Sequence, residues 1–283
     1  MATLVATPRS RALGFGLRTA RKARNLGVRE LARLAGVVAQ DLSHWESGTR
    51  VPKIEQVALL LGALRVDPVE RKRLLELARN AREPNWLEHS IPGISPRLSA
   101  FIEYERTASA IFAWEPLLIP GLLQTPDYAW AILGTGGRRR AEEELRLRLK
   151  VRLLRQEVLT GRDPSPYTVF LAEPVIRQRL GGREIMLPQL RHLAELAGRR
   201  NICLRVLPES EEFHPGLNGS FVIFDFADLP PIVFLEQYRG SAYLYDEQQV
   251  ADYRAAQRSM AALALSEQES CALVGEVIAN LEA

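Results

Sequence analysis

The chain has 283 residues, 47% hydrophobic and 25% charged, a balance expected of a soluble globular protein with room for one large or two ordinary domains. No apolar run approaches the ~20 residues needed to span a bilayer, and the N-terminal "MATLVATPRSRALGFG" lacks the charged region and apolar core of a secretory signal. Only Cys203 and Cys271 are present, which excludes a disulfide framework or a Cys-rich zinc site and fits a reducing cytoplasm. The net charge of +3 is unevenly spread: residues 1 to 82 carry 16 Lys or Arg against 7 Asp or Glu, a net of +9, which leaves −6 for the remainder. A small basic part joined to a larger acidic part is the pattern expected when only one half meets a polyanion such as nucleic acid; the competing reading is a solvated surface of uneven sign.

The spacing of Leu13, Leu17 and Ala20 predicts a first helix ending near Arg24, with Gly14 and Gly16 weakening its start and "NLG" (Asn25 to Gly27) closing it. "VRELARLAG" predicts a second helix with Leu31, Leu34 and Ala35 inward and Gly36 just past its end. "GVVAQDLSHWESGTRVP" follows, with Leu42 and Trp45 on one face of a short third helix and Gln40, Ser43 and His44 elsewhere. Ile54, Val57, Ala58, Leu61 and Leu64 form the stripe of a fourth helix. Asp67 as cap, Pro68 at the first position and Glu70 for a capping box start a fifth, which runs to about Arg82.

Residues 84–100, with three prolines, read as a linker, and Trp86 is a candidate for ordering it. "AFIEYERTASAIFAWEP" reads as helical, with Ile102, Ala108, Ile111 and Phe112 as buried candidates. A Pro-Gly turn leads to a short helix with Thr125 as cap and Pro126 at its start, and then to the long amphipathic "RRRAEEELRLRLKVRLLRQEVL" with Glu142–Arg146 and Glu144–Arg148 pairs. The arginines of that helix read as a solvated, ion-paired face, with nucleic-acid contact as the alternative. Strand patterns then appear in "YTVFLAE", "ICLRVLP", "GSFVIFDF" and "IVFLEQY", with a helix over "EIMLPQLRHLAELA" between the first two. Two helices close the chain, Asp246 to Ala262 and one from Ser266, where Glu269 completes a capping box. The expectation is a mainly α five-helix domain over residues 1–83, a linker over 84–100, and an α+β domain over 101–283 with a small sheet covered by helices on at least one face.

"ELARLAG", "LSHWESG" and "RVP", in that order and spacing, make residues 11 to 66 resemble the lambda-repressor-like helix-turn-helix domain of Xre-type regulators, the group that includes the phage 434 and lambda repressors. The resemblance implies that the third helix enters the major groove of double-stranded DNA. Matched position by position, Ala39, Gln40, Asp41, Ser43 and His44 lie toward base edges, while Thr49, Arg50 and Lys53 in the following loop, with Arg18 of the first helix, lie along phosphates. Leu31, Leu42 and Trp45 match core positions, and Arg21 and Glu46 match a buried ion pair tying the first helix to the third. Two residues depart from the pattern. Val38 stands where relatives often carry a Ser or Thr cap, and Asp41 either accepts from cytosine N4 or simply stabilises the helix start.

In the second half, "LIPGLLQT", "RVLP", "HPG", "GSF" and "VFLE" recur in an order similar to the C-terminal domain of actinobacterial Xre-family regulators related to WhiJ, a domain of unknown function. Such regulators are often encoded beside a small partner protein, which implies a developmental or antitoxin-like switch; here that partner is expected to be small and acidic. No nucleophile elbow, zinc-protease motif, P-loop or dinucleotide fingerprint is present, and His44, His89, His192 and His214 lack metal-ligand spacing, so neither an enzyme nor a cofactor is expected. Cys203, inside an apolar run, reads as a buried inert thiol. Glu173 and Glu236 at strand ends, His214 and Asn218 in a polar loop, and Tyr238 and Tyr243 as amphipathic walls form a candidate site for a small-molecule ligand or a partner protein; ordinary surface polarity accounts for them equally well. The expectation is therefore a cytoplasmic, nucleoid-associated regulator that binds an inverted-repeat operator as a homodimer and does not enter membranes. The alternative is an antitoxin-like component that acts mainly by binding a small protein.

Overall fold

The computed structural model describes residues 8–81, 96–134, 142–209, 213–227, 229–237 and 240–283. Its contacts divide the chain into two compact units, Met1–Thr107 and Ala108–Ala283. The expected linker and Trp86 lie largely outside the described residues, but 96–100 already belong to a helix, opened by Pro96 at its first position.

The first unit holds α1 (Pro8–Ala23), α2 (Val28–Ala35), α3 (Ala39–Glu46), α4 (Ile54–Ala63), α5 (Pro68–Asn80) and α6 (Pro96–Thr107). Three of the boundaries have a clear local cause. α1 closes with Asn25 in the left-handed region (φ 56°), its N–H donating to the Lys22 carbonyl at 2.9 Å. Gly36 (φ 65°) ends α2 in the same way. Asp67 caps α5, one oxygen accepting from the N–H groups of Val69 and Glu70 at 3.0 and 3.1 Å. The expected capping box does not form there, because the Glu70 carboxylate pairs instead with Arg73 at 2.6 Å. Leu13, Leu17, Leu31, Leu42, Trp45, Val57, Leu60, Leu61, Leu64 and Leu74 make the core. Helical spacing predicts Leu34 inside; it is 58% exposed, and Ala32 takes the inward position.

The second unit is built on a six-stranded mixed sheet, ordered β3-β2-β1-β4-β5-β6. The strands are β1 (Ala110–Glu115), β2 (Tyr167–Ala172), β3 (Ile202–Leu207), β4 (Phe221–Asp225), β5 (Ile232–Gln237) and β6 (Gly240–Leu244). β1, β2 and β3 are parallel, and β4, β5 and β6 continue antiparallel. Two of the six strands depart from the sequence expectation. "AIFAWE" is the central strand β1 rather than helix, buried along its middle because both faces are covered, which erases the alternation that marks a half-exposed strand. β6 is an edge strand with no fully buried residue.

The helices of this unit are α7 (Pro126–Gly134), α8 (Glu142–Arg155), α9 (Glu157–Thr160), α10 (Glu173–Arg177), α11 (Arg183–Ala197), α12 (Glu247–Leu263) and α13 (Glu267–Glu282). Phe112, Trp114, Phe170, Phe221, Ile223 and Val233 pack on one sheet face with Val250 and Met260 of α12. The alternate residues Val169, Leu171, Leu204 and Val206 are also buried, and α11 and α13 pack together against β3. Cys203, expected buried, is half-buried, and loss of hydration pushes its thiol up to about 11, well away from a reactive thiolate.

Arg205 joins the sheet to α12. Its guanidinium lies 5.2 Å from the centre of the Phe170 ring and donates to the carbonyls of Ala261, Ala264 and Leu265, the otherwise unpaired acceptors at that helix end. Arg205→Ala removes a charged donor shared by all three carbonyls. A loss of about 1.5–3 kcal/mol is expected, read as a lowered urea midpoint of the full chain; an unchanged midpoint contradicts the role given to Arg205.

Candidate nucleic-acid interface

α3 is short and strongly sided. Leu42 and Trp45 are buried in the core, Gln40 and Ser43 are exposed, and Asp41 and His44 lie between. Val38 occupies the cap position with no side-chain hydrogen bond and is 62% exposed, so the helix starts without the usual hydroxyl acceptor. The Nδ1 atom of His44 is buried and has no hydrogen-bond partner among the described residues, which leaves Nε2 as the ring nitrogen able to meet a ligand.

The loop after α3 folds back onto that helix. The His44 carbonyl accepts from the Ser47 hydroxyl (3.0 Å), the Thr49 hydroxyl (3.2 Å) and the Arg50 N–H (3.2 Å). Thr49, a phosphate candidate by resemblance, thus has its hydroxyl engaged in fixing the loop. Arg50 is exposed and reaches Asp41 at 3.2 Å, so two residues expected to contact different parts of DNA contact each other. Arg18 on α1 and Lys53, which precedes α4, are exposed. The Lys53 N–H donates to the Gln56 side chain at 2.8 Å, holding the start of α4.

The placement of α3 depends on α1. Arg21 grips Glu46 through two parallel hydrogen bonds, Nε to Oε1 at 2.7 Å and Nη2 to Oε2 at 2.8 Å, while Nη1 donates to the Leu26 carbonyl at 2.7 Å. Both side chains are buried, 10% and 6% exposed. Further along the same seam the backbones nearly touch. A Cβ on Gly14 would lie 2.4 Å from the Trp45 carbonyl oxygen, and one on Gly48 would lie 2.9 Å from the Arg11 backbone. The Ser10 hydroxyl donates to the Gly48 carbonyl at 2.8 Å. Sequence reasoning counted Gly14 only as a weak helix former and did not single out Ser10 or Gly48. The spacing of small residues held the information, but their facing partners lie far along the chain.

The candidate site in the second unit does not come together as one cluster. Strand alternation sends Glu236 and Tyr243 to the sheet face away from α12, with Tyr243 against Phe234 at 4.9 Å between ring centres. His214 lies edge-on to Trp114 at 5.8 Å, on the α12 side. On that side Asn218 helps line a cleft of about 310 Å³ with Phe221, Leu235, Gln237, Asp252 and Tyr253. Glu173 opens α10, where it accepts from Arg177 at 2.6 Å and from the Glu209 N–H at 3.1 Å. Tyr238 lies outside the described residues.

Glu115 was missed, because recognising it required seeing β1 as a strand. Burial first, and the neighbouring Glu236 carboxylate second, push its carboxyl up from 4.5 to about 8. Between those values the unfolded chain has released a proton that the folded chain keeps, so the stability of this unit falls as pH rises from 4.5 to 8. Glu115→Gln is expected to flatten that slope in urea titrations at the two ends of the window; an unaltered slope means another group governs it. In the first unit, Arg21→Ala strands the Glu46 charge and should cost about 3–5 kcal/mol of stability. The Arg21→Ala/Glu46→Ala double variant should cost less than the two single variants summed, and simple additivity would show the pair to be uncoupled.

No helix among the described residues is long and apolar enough to cross a membrane. Residues 12–74 match the family model of a helix-turn-helix domain. No curated protein matches the chain, and no solved structure does. Residues 98–276 match the model of a domain of unknown function, DUF5753. That match covers more than half of the sequence, so the chain belongs to the DUF5753 family, with a helix-turn-helix domain at its N-terminal end.

Proposed function

We propose that this chain is a sequence-specific DNA-binding transcriptional regulator of the Xre type, acting in the cytoplasm on the chromosome as a homodimer. The sidedness of α3 carries the reading: its apolar residues are consumed by the core, its end is fixed by Arg21–Glu46, and Gln40 and Ser43 are left outward. Gln40 can pair with adenine N6 and N7 through both atoms of its amide, His44 can donate to guanine through Nε2, and Ser43 serves either base. Arg18, Arg50 and Lys53 supply the sequence-blind grip on phosphate. Asp41 is assigned to holding Arg50 rather than to reading cytosine, on the 3.2 Å contact between them. Two copies would set their α3 helices about 34 Å apart on an inverted repeat.

The second unit is assigned the regulatory part and no catalysis. The cleft beside α12, with two aromatic rings, two amides and one carboxylate, has the mixed lining of a small-molecule site. A ligand there alters DNA binding only if it favours one arrangement of the protein over another.

Gel shifts against the region upstream of the gene test the DNA reading. Gln40→Ala and His44→Ala should each cost about 1–3 kcal/mol on the specific site and less on random DNA, whereas Arg50→Ala should weaken both alike and lower the salt slope. Asp41→Asn should strengthen binding to both sequences by freeing Arg50; a loss confined to the specific site would instead make Asp41 a reader. Absence of salt-sensitive binding at low salt overturns the proposal and leaves protein binding as the function of the chain.

A further inference from the structure

α8 carries more leucine than it buries. Of Leu145, Leu147, Leu149, Leu153 and Leu154 none is fully buried and Leu154 is 43% exposed, while Val151 faces the core. The inward side is fixed by polar contacts: Arg152 donates to the Gln124 side chain at 2.7 Å, and Gln156 to the carbonyls of Gly121 and Gln124 at 3.2 and 2.7 Å. Beside it runs a second stripe, Arg146, Leu149, Lys150, Leu153, Leu154 and Glu157, which lines a shallow groove of about 400 Å³. Gln156 keeps right-handed helical angles but closes a tighter turn, its N–H donating to the Leu153 carbonyl at 3.1 Å, and Glu157 at the start of α9 still lines the same groove.

The steps along this stripe are three, one, three, one and three residues, the repeat of a helix-packing seam. The stripe is also self-complementary when reversed. Counted inward from its two ends, Arg146 meets Glu157, Leu149 meets Leu154, and Lys150 meets Leu153. The outermost pair is opposite in charge and spans about 16 Å of helix. Arg146 shares Glu142 in an exposed pair at 2.6 Å, while Glu157 makes no ion pair among the described residues.

The geometry points to a second copy of this chain as the occupant of the stripe: two α8 helices packed antiparallel about a two-fold axis, each Arg146 facing Glu157 of the other copy across the leucines. Lys150 lays its stem on Leu153 of the second copy and keeps its ammonium in water. A parallel pairing is disfavoured, since it sets Arg146 on Arg146 and Glu157 on Glu157. DNA suits the stripe poorly, because Glu142, Glu143 and Glu144 crowd one end of the helix and Glu157 the other. A two-fold axis here is the symmetry that an inverted repeat requires, and the inference rests to that extent on the DNA-binding reading.

Sedimentation velocity of the full chain over a dilution series, with no DNA present, tests the surface. The wild type should dimerise. Arg146→Glu and Glu157→Arg should each raise the dimer dissociation constant at least about tenfold, since each converts two attractive contacts per dimer into repulsive ones. The Arg146→Glu/Glu157→Arg double variant should recover most of the loss, which a merely misfolded protein cannot do. Leu153→Glu should be monomeric with a far-ultraviolet circular dichroism spectrum unchanged from the wild type, and should melt where the wild type melts when diluted below its dimer dissociation constant. A monomeric wild type, a dimer indifferent to these changes, or a double variant no better than the singles overturns the proposal, including the case where a small protein takes the stripe instead. Gel shifts on the same samples separate the two readings. DNA binding by a chain that never dimerises removes the surface alone, and a rescued dimer that ignores DNA removes the DNA reading alone.

Discussion

The first unit is organised around one seam, where α1 lies against α3. At one end the contact is backbone on backbone, made possible by glycine at 14 and 48; at the other it is a desolvated arginine–carboxylate pair. The two ends do different work. The glycines set how near the helices come, which no side chain can adjust. The ion pair sets rotation and register, because a bidentate fork tolerates little turning of either partner. With both imposed, the outward direction of α3 is determined before any ligand arrives, and so is the return of the loop that carries Thr49 and Arg50.

Much of this unit could be read from the chain. Short helices bounded by Asn25, Gly36 and Asp67-Pro68 announce themselves locally, since each signal and its consequence lie within one turn of each other. The Arg21–Glu46 pair was legible only through resemblance, for no periodicity joins residues so far apart. Neither periodicity nor resemblance carries the Asp41–Arg50 contact. It depends on how the loop doubles back onto the His44 carbonyl, a tertiary outcome.

The second unit shows the opposite balance. Strands written as β-branched and aromatic runs set off by turn residues, such as Phe221–Asp225, are legible; β1 is not, because it follows the helix ending at Thr107 with no Gly or Pro between them and is buried along its middle without a period. That omission hid Glu115. The partition of the candidate ligand residues has a different origin: alternation along β5 and β6 sends Glu236 and Tyr243 to one side, whereas the loop before β4 carries His214 and Asn218 to the other. A list drawn from strand ends therefore mixes two surfaces with different neighbours.

The pairing of β1 also bears on how the protein is made. Ile111 sits between Tyr167 on one side and Phe224 on the other. On a ribosome the helical first unit emerges, and can close, before any strand of the sheet is made. β1 emerges next and must wait through α7, α8 and α9 for its parallel neighbour, and longer still for β4. Throughout that interval its apolar faces and open edges are exposed to other chains. The slow stretch of folding should thus fall in the second unit, and a chain interrupted before β4 would carry a finished helix-turn-helix unit and an unfinished sheet.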